Sequence, residues 1–424
     1  MQNVEKKQKF PLNQMVLDQF TVGTVIRNIG HQGDIKSLSF FIFFKPYPQK
    51  LIIYTMTLFL IHKLKKVFLF ELYVFMNTTI LVLGNELDWD SYKKFYKQLQ
   101  KHRSKKLKWV TATYDLFEKN ELPLIDSDTL IIFLFFPFTY WDKHIENEGY
   151  KGIYGNVEFY NKFRSFWSEI YKTLKRVYRG KKLYFINHPL KIAIDRDKEF
   201  TKTVLSENGI KVPISYYTRD SKDILELVDQ ENKKLFLKVR YGSMGKGITY
   251  IEKGNWKTNF RFEDGKILSP RSDYSWTFVD ITDNVEFLKE ILTKDIVIEE
   301  AVECCKLDDI IFDLRFYVFY DEVLYIYPRT NKKGAITANI SQGGQGRSTQ
   351  FLKRFPKNVI DKAVQSAIRT VKAMDVNFAG VDVMISKDLK AYVIELNAFP
   401  GFTKVRRFNL SKRIIQHIEK RKWN

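Results

Sequence analysis

Two carboxylates near the C-terminal end of the chain stand in a pattern that suits a metal ion. Apolar residues flank both Asp382 and Glu395, and a polar turn centred near Asp388 and Leu389 separates the two runs. With that centre, Asp382 and Glu395 are expected to face each other across an antiparallel hairpin. Asn397 shares their face because side chains repeat every two residues along a strand.

An acidic pair in such surroundings needs a positive partner. Carboxylates held among valine, isoleucine and leucine side chains are poorly solvated, and they repel each other. Asp382, Glu395 and Asn397 offer only oxygen ligands, which suits Mg²⁺ or Mn²⁺ bridging the phosphates of a nucleotide. The alternative is a solvated sheet face on which lysines neutralise the acids.

A glycine-rich loop lies between two strand-like runs in residues 233–251. Gly242, Gly245 and Gly247 allow backbone N–H groups to approach an anion closely, and Lys238 before the loop adds positive charge. Ile248 after the last glycine excludes a Walker loop, and the spacing is not that of a dinucleotide fingerprint. The loop therefore predicts a phosphate grip, with a plain hairpin turn as the alternative.

The order of the elements around these motifs predicts two kinds of architecture. Short apolar runs at Thr79–Leu83, Lys108–Ala112, Leu130–Phe135 and Lys182–Ile186 alternate with amphipathic stretches, which is typical of a small open α/β domain. A helix is predicted over Asp197–Leu205, with Phe200 and Val204 at the spacing of one helix face. Beyond residue 235 the pattern changes to hairpins and helices, an α+β character.

Composition limits the possible partners and the setting. Lys and Arg total 70 against 49 for Asp and Glu, a formal charge of +21, which favours an anionic partner. The basic residues are spread along the chain, so nucleic acid is a minor alternative. The two cysteines are adjacent, at Cys304 and Cys305, which leaves no disulfide framework and favours a cytoplasmic setting.

Residues 1–75 differ from the rest of the sequence. Their apolar runs are broken by Lys45, Pro46 and other polar residues, and none reaches the roughly 18–20 residues that span a bilayer. A clean globular pattern begins at Met76. We interpret residues 1–75 as an atypical extension, either a mis-assigned start or a poorly ordered segment, with a membrane-surface anchor as the alternative.

Over roughly residues 181–402 the motifs together resemble the ATP-grasp superfamily, nearest to ribosomal-protein glutamate ligases and prokaryotic glutathione synthetases. The matching pieces include the glycine-rich loop, Phe312-Asp-Leu-Arg315, Gly380-Val-Asp382 and Glu395-Leu-Asn397. The alternating pattern predicts that the small α/β domain covers residues 76–190, and the resemblance implies a two-lobed ATP-grasp domain over residues 191–424. Its lobes would meet near residue 300.

The resemblance also implies roles for individual residues. Lys198 and Lys238 would hold ATP phosphates, together with the loop residues Gly242, Ser243, Gly245 and Gly247. An edge strand would recognise adenine through Glu299, Glu300, Ala301 and Val302, and Asp308 or Asp309 would reach the ribose. Mg²⁺ would lie on Asp382, Glu395 and Asn397, and the acyl-phosphate end of the substrate would face Arg315, Arg329 and Asn339.

The implied activity is an ATP-dependent ligase that activates a carboxylate as an acyl phosphate and joins it to an amine or a thiol. The carboxylate substrate is a small molecule or a peptide. Two alternatives remain open at this point. One is an ATP-grasp phosphotransferase, and the other is a basic protein that binds nucleic acid or a membrane surface on a vestigial ligase fold.

Overall fold

The computed structural model describes residues 21–25, 39–43, 77–85, 90–102, 107–144, 153–268, 277–305, 307 and 310–423. The chain divides into two compact units, Met1–Leu72 and Tyr73–Asn424. In the first unit, β1 (Thr21–Val25) pairs antiparallel with β2 (Ser39–Phe43). The interpretation of residues 1–75 as an extension or an anchor otherwise falls outside the described residues.

A four-stranded parallel sheet opens the second unit, as the apolar runs predict. Its strands lie in the order β4-β3-β5-β6 and are β3 (Thr78–Leu83), β4 (Lys108–Ala112), β5 (Thr129–Leu134) and β6 (Lys182–Phe185). The helices of this part are α1 (Asp90–Lys101), α2 (Asp115–Glu118), α3 (Phe138–His144), α4 (Val157–Val177) and α5 (Pro189–Asp195).

Both faces of this sheet are buried, which explains why its strands are apolar throughout. Alternate residues of β3 belong to different cores. Leu83 packs in the same cluster as Trp167 of α4, whereas Val82 packs in the cluster of Phe95 from α1. The side chain of Asn156 caps α4 by accepting a hydrogen bond from the backbone N–H of Phe159 at 2.9 Å.

Antiparallel pairing dominates the next part of the chain. A six-stranded sheet has the order β13-β10-β9-β8-β14-β7, and β11 and β12 form a separate hairpin. The elements are α6 (Lys198–Glu207), β7 (Ser215–Tyr216), α7 (Ser221–Asp229), β8 (Leu235–Val239), β9 (Ile248–Glu252), β10 (Asn255–Thr258), β11 (Arg261–Glu263), β12 (Lys266–Leu268), β13 (Val279–Asp280), α8 (Val285–Leu292) and β14 (Ile296–Glu300).

A five-stranded antiparallel sheet of order β17-β16-β15-β18-β19 carries the carboxylate hairpin. One face packs on α9 through a buried apolar cluster that includes Leu314, Phe316 and Val381. The elements are β15 (Phe312–Phe319), β16 (Glu322–Thr330), β17 (Gln345–Gly346), α9 (Lys357–Ala373), β18 (Phe378–Ile385), β19 (Ala391–Asn397) and α10 (Leu410–Lys420).

The predicted fold class, a small open α/β domain followed by two α+β lobes, is confirmed. The three main sheets occupy successive stretches of sequence, whereas the domain limits proposed at residues 190 and 300 remain predictions. Among the described residues, none of the helices combines the length and the apolar character needed to cross a bilayer.

One buried amide joins the parallel sheet to the carboxylate-bearing sheet. Asn187 is 5 % exposed and follows β6 at the carboxyl end of the parallel sheet. Its Oδ1 accepts from the backbone N–H groups of Asn377 and Phe378, each at 2.8 Å. Its Nδ2 donates to the carbonyls of Phe378 at 2.6 Å and Ala398 at 3.2 Å. The hydrogen bonds fix both ends of the hairpin that carries Asp382 and Glu395.

The Asn187→Leu variant keeps the side-chain volume but removes all four hydrogen bonds. We expect it to lower the free energy of unfolding by about 3 kcal/mol or more, because each buried backbone group left unpaired costs about 1–3 kcal/mol. Thermal and urea unfolding measure the change. Asn208→Ala is the matched control, since Asn208 is exposed and should cost less than about 1 kcal/mol. Equal losses in the two variants would contradict the role given to Asn187.

Candidate nucleotide and metal site

The β18–β19 hairpin places Asp382 opposite Glu395, as the sequence predicts. The same register pairs Gly380 with Asn397. Nearer the turn the register shifts, because Val383 pairs with Val393 and Ile394 is an extra residue on β19. This β-bulge lies next to the acidic pair, a position where bulges commonly re-aim side chains.

Two arginines neutralise Asp382, which the sequence reading did not foresee. Arg315 donates from Nε and Nη2 to the two carboxylate oxygens, the second at 2.7 Å. Arg329 reaches Oδ1 of Asp382 at 3.0 Å and also forms a two-pronged ion pair with Asp313. Asp382 is therefore balanced by two arginines, and the metal ion expected on Asp382, Glu395 and Asn397 stays a prediction.

The register of three strands creates this ionic cluster. Cα partners across the sheet join Asp313 to Arg329 and Arg315 to Asp382. Burial raises the pKa of Asp382, but Arg315 and then Arg329 outweigh it and hold that pKa below its ordinary value. Burial raises the pKa of Asp313 despite its pairing with Arg329. The cluster brings two cations and two anions together where little solvent reaches them.

Three lysines form a second charged cluster, between α6 and the glycine-rich loop. The buried carboxylate of Glu299 forms ion pairs with both Lys202 and Lys238, and its side chain is 2 % exposed. Lys198 donates to the carbonyl of Gly242 and lies 3.7 Å from Glu395. Lys198 therefore links the glycine-rich loop to the carboxylate hairpin.

The lysine cluster carries more positive than negative charge at its buried end. Lys202 and Lys238 share one carboxylate, so one ammonium lacks a full counter-charge. Burial lowers the pKa of Lys238 to about 8 and lowers that of Lys202 well below its ordinary value. An anion such as a phosphate would restore the balance.

The glycine-rich loop adopts a conformation that its glycines permit. Gly245 and Gly247 have φ values of 73° and 68°, in the left-handed region. The hydroxyl of Ser243 contacts the hydroxyl of Tyr154 at 2.9 Å and accepts from Arg196 at 2.9 Å. Tyr154 of the small α/β domain and Arg196, which follows α5, therefore hold the base of the loop.

Residues 339–341, which follow β16, cover the tip of the glycine-rich loop. Asn339 caps a short 3₁₀ turn by accepting from the N–H of Ser341 at 3.3 Å. The Ser341 hydroxyl donates to the carbonyl of Met244 at 2.6 Å. A Cβ added to Gly245 would lie 2.8 Å from the Asn339 amide nitrogen, so only glycine fits under this turn.

The expected adenine-binding edge strand is not an edge. β14 lies between β8 and β7, and its Glu299 faces the lysines while Glu300 contacts Lys233 and Tyr216. Ala301 and Val302 follow the strand, at the start of the connection to the far lobe. Asp308 and Asp309, the residues expected at the ribose, lie outside the described residues.

The structure adds functional candidates that the sequence did not single out. Lys202 looks like a surface lysine on an amphipathic helix, and Asp313 acquires its partner Arg329 only through strand register. Asp195 is half-buried and accepts from the N–H of Ala398 at 2.6 Å, next to Asn397. Burial raises the pKa of Asp195 to about 7.

The residues fit a hard divalent cation by their chemistry. Asp382, Glu395 and Asn397 share one face and present oxygen atoms, the ligand type that Mg²⁺ requires. In the described part of the chain, the buried Nδ2 of Asn397 has no hydrogen-bond partner, which suits an acceptor such as a phosphate oxygen. Within the same ranges no three His, Cys, Asp or Glu side chains group as a metal site, so phosphate oxygens would complete the ligand set.

Comparisons with known proteins identify the relatives of this chain. The family described as "YheC/D like ATP-grasp" matches residues 205–421. A probable alpha-L-glutamate ligase of Pseudomonas putida strain F1 is 27 % identical over 242 residues, covering 56 % of this chain and 68 % of the relative. That of Legionella pneumophila strain Corby is 26 % identical over 245 residues, covering 56 % of this chain and 68 % of the relative.

Solved structures give weaker similarities. The ATP-grasp ligase PsnB complexed with a minimal precursor has a TM-score of 0.49 at 14 % identity, covering 81 % of this chain and 98 % of that chain. The D-alanine–D-alanine ligase of Bacillus anthracis has a TM-score of 0.46 at 16 % identity, covering 80 % of this chain and 92 % of that chain.

Substitution of the two hairpin acids should separate their structural roles. Asp382→Asn leaves two buried arginines short of a negative charge, and we expect a loss of about 3 kcal/mol in the free energy of unfolding. Glu395→Gln should cost less than about 1 kcal/mol, because the nearest lysine is 3.7 Å from Glu395. Urea unfolding of both variants measures the difference. Equal stabilities would show that the arginine cluster does not depend on Asp382.

Acid should remove the difference between wild type and Asp382→Asn. A carboxylate with a lowered folded-state pKa stabilises the fold above its unfolded pKa of about 3.9, and this contribution is lost as pH falls through the folded-state value. Melting curves from about pH 7 to about pH 3 test this. The gap should begin to narrow only below about pH 4, and a gap that closes already above that pH would contradict the depressed pKa.

Nucleotide affinity should fall as pH rises above about 8. Lys238 loses its proton in that range when the site is empty, whereas bound phosphate favours the protonated form. We expect calorimetry at about pH 8 to detect proton uptake on ADP binding, with a dissociation constant up to about tenfold higher per further pH unit. Lys238→Arg keeps its charge and should flatten the pH profile. A constant affinity from about pH 7 to about pH 9 in wild type would rule out this coupling.

Proposed function

Since this chain belongs to the YheC/D-like ATP-grasp family, we propose that it is an ATP-dependent ligase that activates a carboxylate as an acyl phosphate. An amine or a thiol then takes the acyl group, and ADP and phosphate are released. The single observation that carries the proposal is the cleft between Lys198 and Asn397. Excess buried positive charge there lies beside an oxygen-rich hairpin.

The lysine cluster is proposed to hold the nucleotide. Lys198, Lys202 and Lys238 supply the positive charge that a polyphosphate needs, and Glu299 restrains two of them in place. Gly245 and Gly247, both in the left-handed region, would turn backbone N–H groups of the loop towards an anion. The adenine would contact the chain at residues 300–302, after β14, and the ribose contact at Asp308 or Asp309 stays a prediction.

The arginine cluster is proposed to serve the reacting end. Arg315 and Arg329 lie beside Asp382, where charge develops as a phosphoryl group moves onto a carboxylate. Asp382, Glu395 and Asn397 would hold Mg²⁺ or Mn²⁺, which when bound neutralises phosphate charge. Asn339, over the tip of the glycine-rich loop, would keep water away from that end.

The proposed reaction needs no nucleophilic serine or cysteine from the protein. A carboxylate oxygen attacks the γ-phosphorus, the bond from that phosphorus to the bridging oxygen breaks, and ADP leaves. The amine nitrogen next attacks the acyl carbon, the carbon–oxygen bond to phosphate breaks, and the amine loses a proton. Arg315 and Arg329 remain charged throughout, because pairing with Asp382 and Asp313 raises their already high pKa values against the effect of burial.

Hydroxylamine trapping tests the proposal without knowledge of the natural acceptor. The names of the relatives suggest L-glutamate as the first carboxylate donor, followed by the other amino acids and short peptides. We expect ATP- and Mg²⁺-dependent hydroxamate, with one ADP formed per hydroxamate. Glu395→Gln should lose this activity yet melt near wild type. A phosphorylated product without hydroxamate would instead identify a phosphotransferase, and absent ADP binding would contradict any nucleotide-dependent activity.

A further inference from the structure

A basic groove lies at the start of α10, outside the residues assigned to ATP and metal. Its volume is about 530 Å³, and its lining residues belong to the loop before α10 and to the first two turns of α10. We call it the α10 groove, and it is lined by Val405, Arg407, Phe408, Asn409, Lys412, Arg413 and Gln416.

The charge of the α10 groove is only partly balanced. Arg413 lies 3.5 Å from Glu322. Within the described part of the chain, neither Arg407 nor Lys412 has a carboxylate partner, and both side chains are exposed. Lys404 and Arg406 are exposed on the same short loop. Arg407, Lys412 and Arg413 therefore line one concave surface, with Glu322 as the acid beside Arg413.

A line of tyrosines connects this groove to the arginine cluster. Tyr325, Tyr327 and Arg329 alternate along β16, so their side chains share the face that bears Arg315. Tyr327 is the Cα partner of Arg315, and Tyr325 lies two residues further along, roughly 7 Å away. The ring of Tyr325 stacks on Phe408 of the groove, with centroids 4.1 Å apart.

We propose that the α10 groove binds an acidic peptide, whose carboxylates pair with Arg407, Lys412 and Arg413 while one end extends along Tyr325 and Tyr327 to Arg315. This inference rests on the proposed function, because it names the class of substrate on which the same site would act. An extended chain of three or four residues, at roughly 3.3 Å per residue, spans the tyrosine line.

The aromatic residues favour a peptide over a nucleic acid. Binding of single strands relies on free aromatic faces on which bases stack. Tyr325 and Phe408 stack on each other instead. Arginine also pairs with carboxylates through two parallel hydrogen bonds, the geometry seen already between Arg315 and Asp382.

Fluorescence anisotropy with labelled hexaglutamate tests the groove in the absence of ATP. The test variant is the double substitution R407E/K412E, and the control is K289E/K362E, which makes the same change of net charge at exposed lysines of α8 and α9. We expect R407E/K412E to weaken hexaglutamate binding by about tenfold or more, because close charge pairs become repulsive. The control should change it by less than about twofold. ADP affinity and melting temperature should stay at wild-type values in both.

Three results would overturn the inference. One is that hexaglutamate fails to bind the wild type. Another is that the two double variants weaken hexaglutamate binding equally, which would reflect the net charge of +21 alone. A short single-stranded oligonucleotide that binds in its place, and is lost in R407E/K412E, would identify a nucleic-acid site. Peptide binding is read without ATP, so it fails or succeeds independently of hydroxamate formation.

Discussion

Buried charge must be balanced, and that constraint organises the whole cleft. The carboxylates of the two charged clusters meet cations, because an unpaired ion in a low-dielectric interior costs several kcal/mol. Asp382 and Asp313 meet two arginines, whereas Glu299 meets two lysines. The first group is neutral by itself, and the second has a positive charge to spare. A polyphosphate is the kind of ligand that such an imbalance selects.

The small α/β domain is part of the site as well as its neighbour. Asn187 and Asp195 bind the backbone at both ends of the carboxylate hairpin, and Ser91 of α1 donates to the carbonyl of Pro400 at 3.1 Å. Tyr154 and Arg196 hold Ser243 at the base of the glycine-rich loop. Both halves of the cleft are therefore positioned by one scaffold, which is how a rigid shell keeps reacting groups in register.

The sequence predicts local pattern well and long-range pairing poorly. Parallel strands and the amphipathic helix α4 follow from periodicity within a short window. The pairing of Asp382 with Glu395 matches the predicted turn centre only because the bulge at Ile394 shifts the register. Lys202 escapes such reasoning, because its burial depends on Glu299 from a strand far along the chain. On α6, Phe200 is 45 % exposed, whereas Thr201, Lys202 and Leu205 are buried. The pairing of Lys202 with Glu299 therefore decides which face of α6 is buried, and the spacing of Phe200 and Val204 does not. The arginine partners of Asp382 likewise come from strand order, which sequence spacing does not encode.

The bulge at Ile394 separates the turn of the carboxylate hairpin from the segment that bears Asp382 and Glu395. The pairing near the turn follows one register and the pairing at Glu395 follows another, so the turn does not dictate where the acids lie. The segment that bears the acids is held by the pairing of β18 with β15 and by the hydrogen bonds from Asn187 and Asp195. Ser386 is buried and pairs with Cys304, and the N–H of Lys387 donates to the carbonyl of Glu303, so the turn is anchored on the connection at residues 303–305. Asp388 and Leu389 at the tip are exposed, and a fluorophore attached there would report on the turn without displacing the acids.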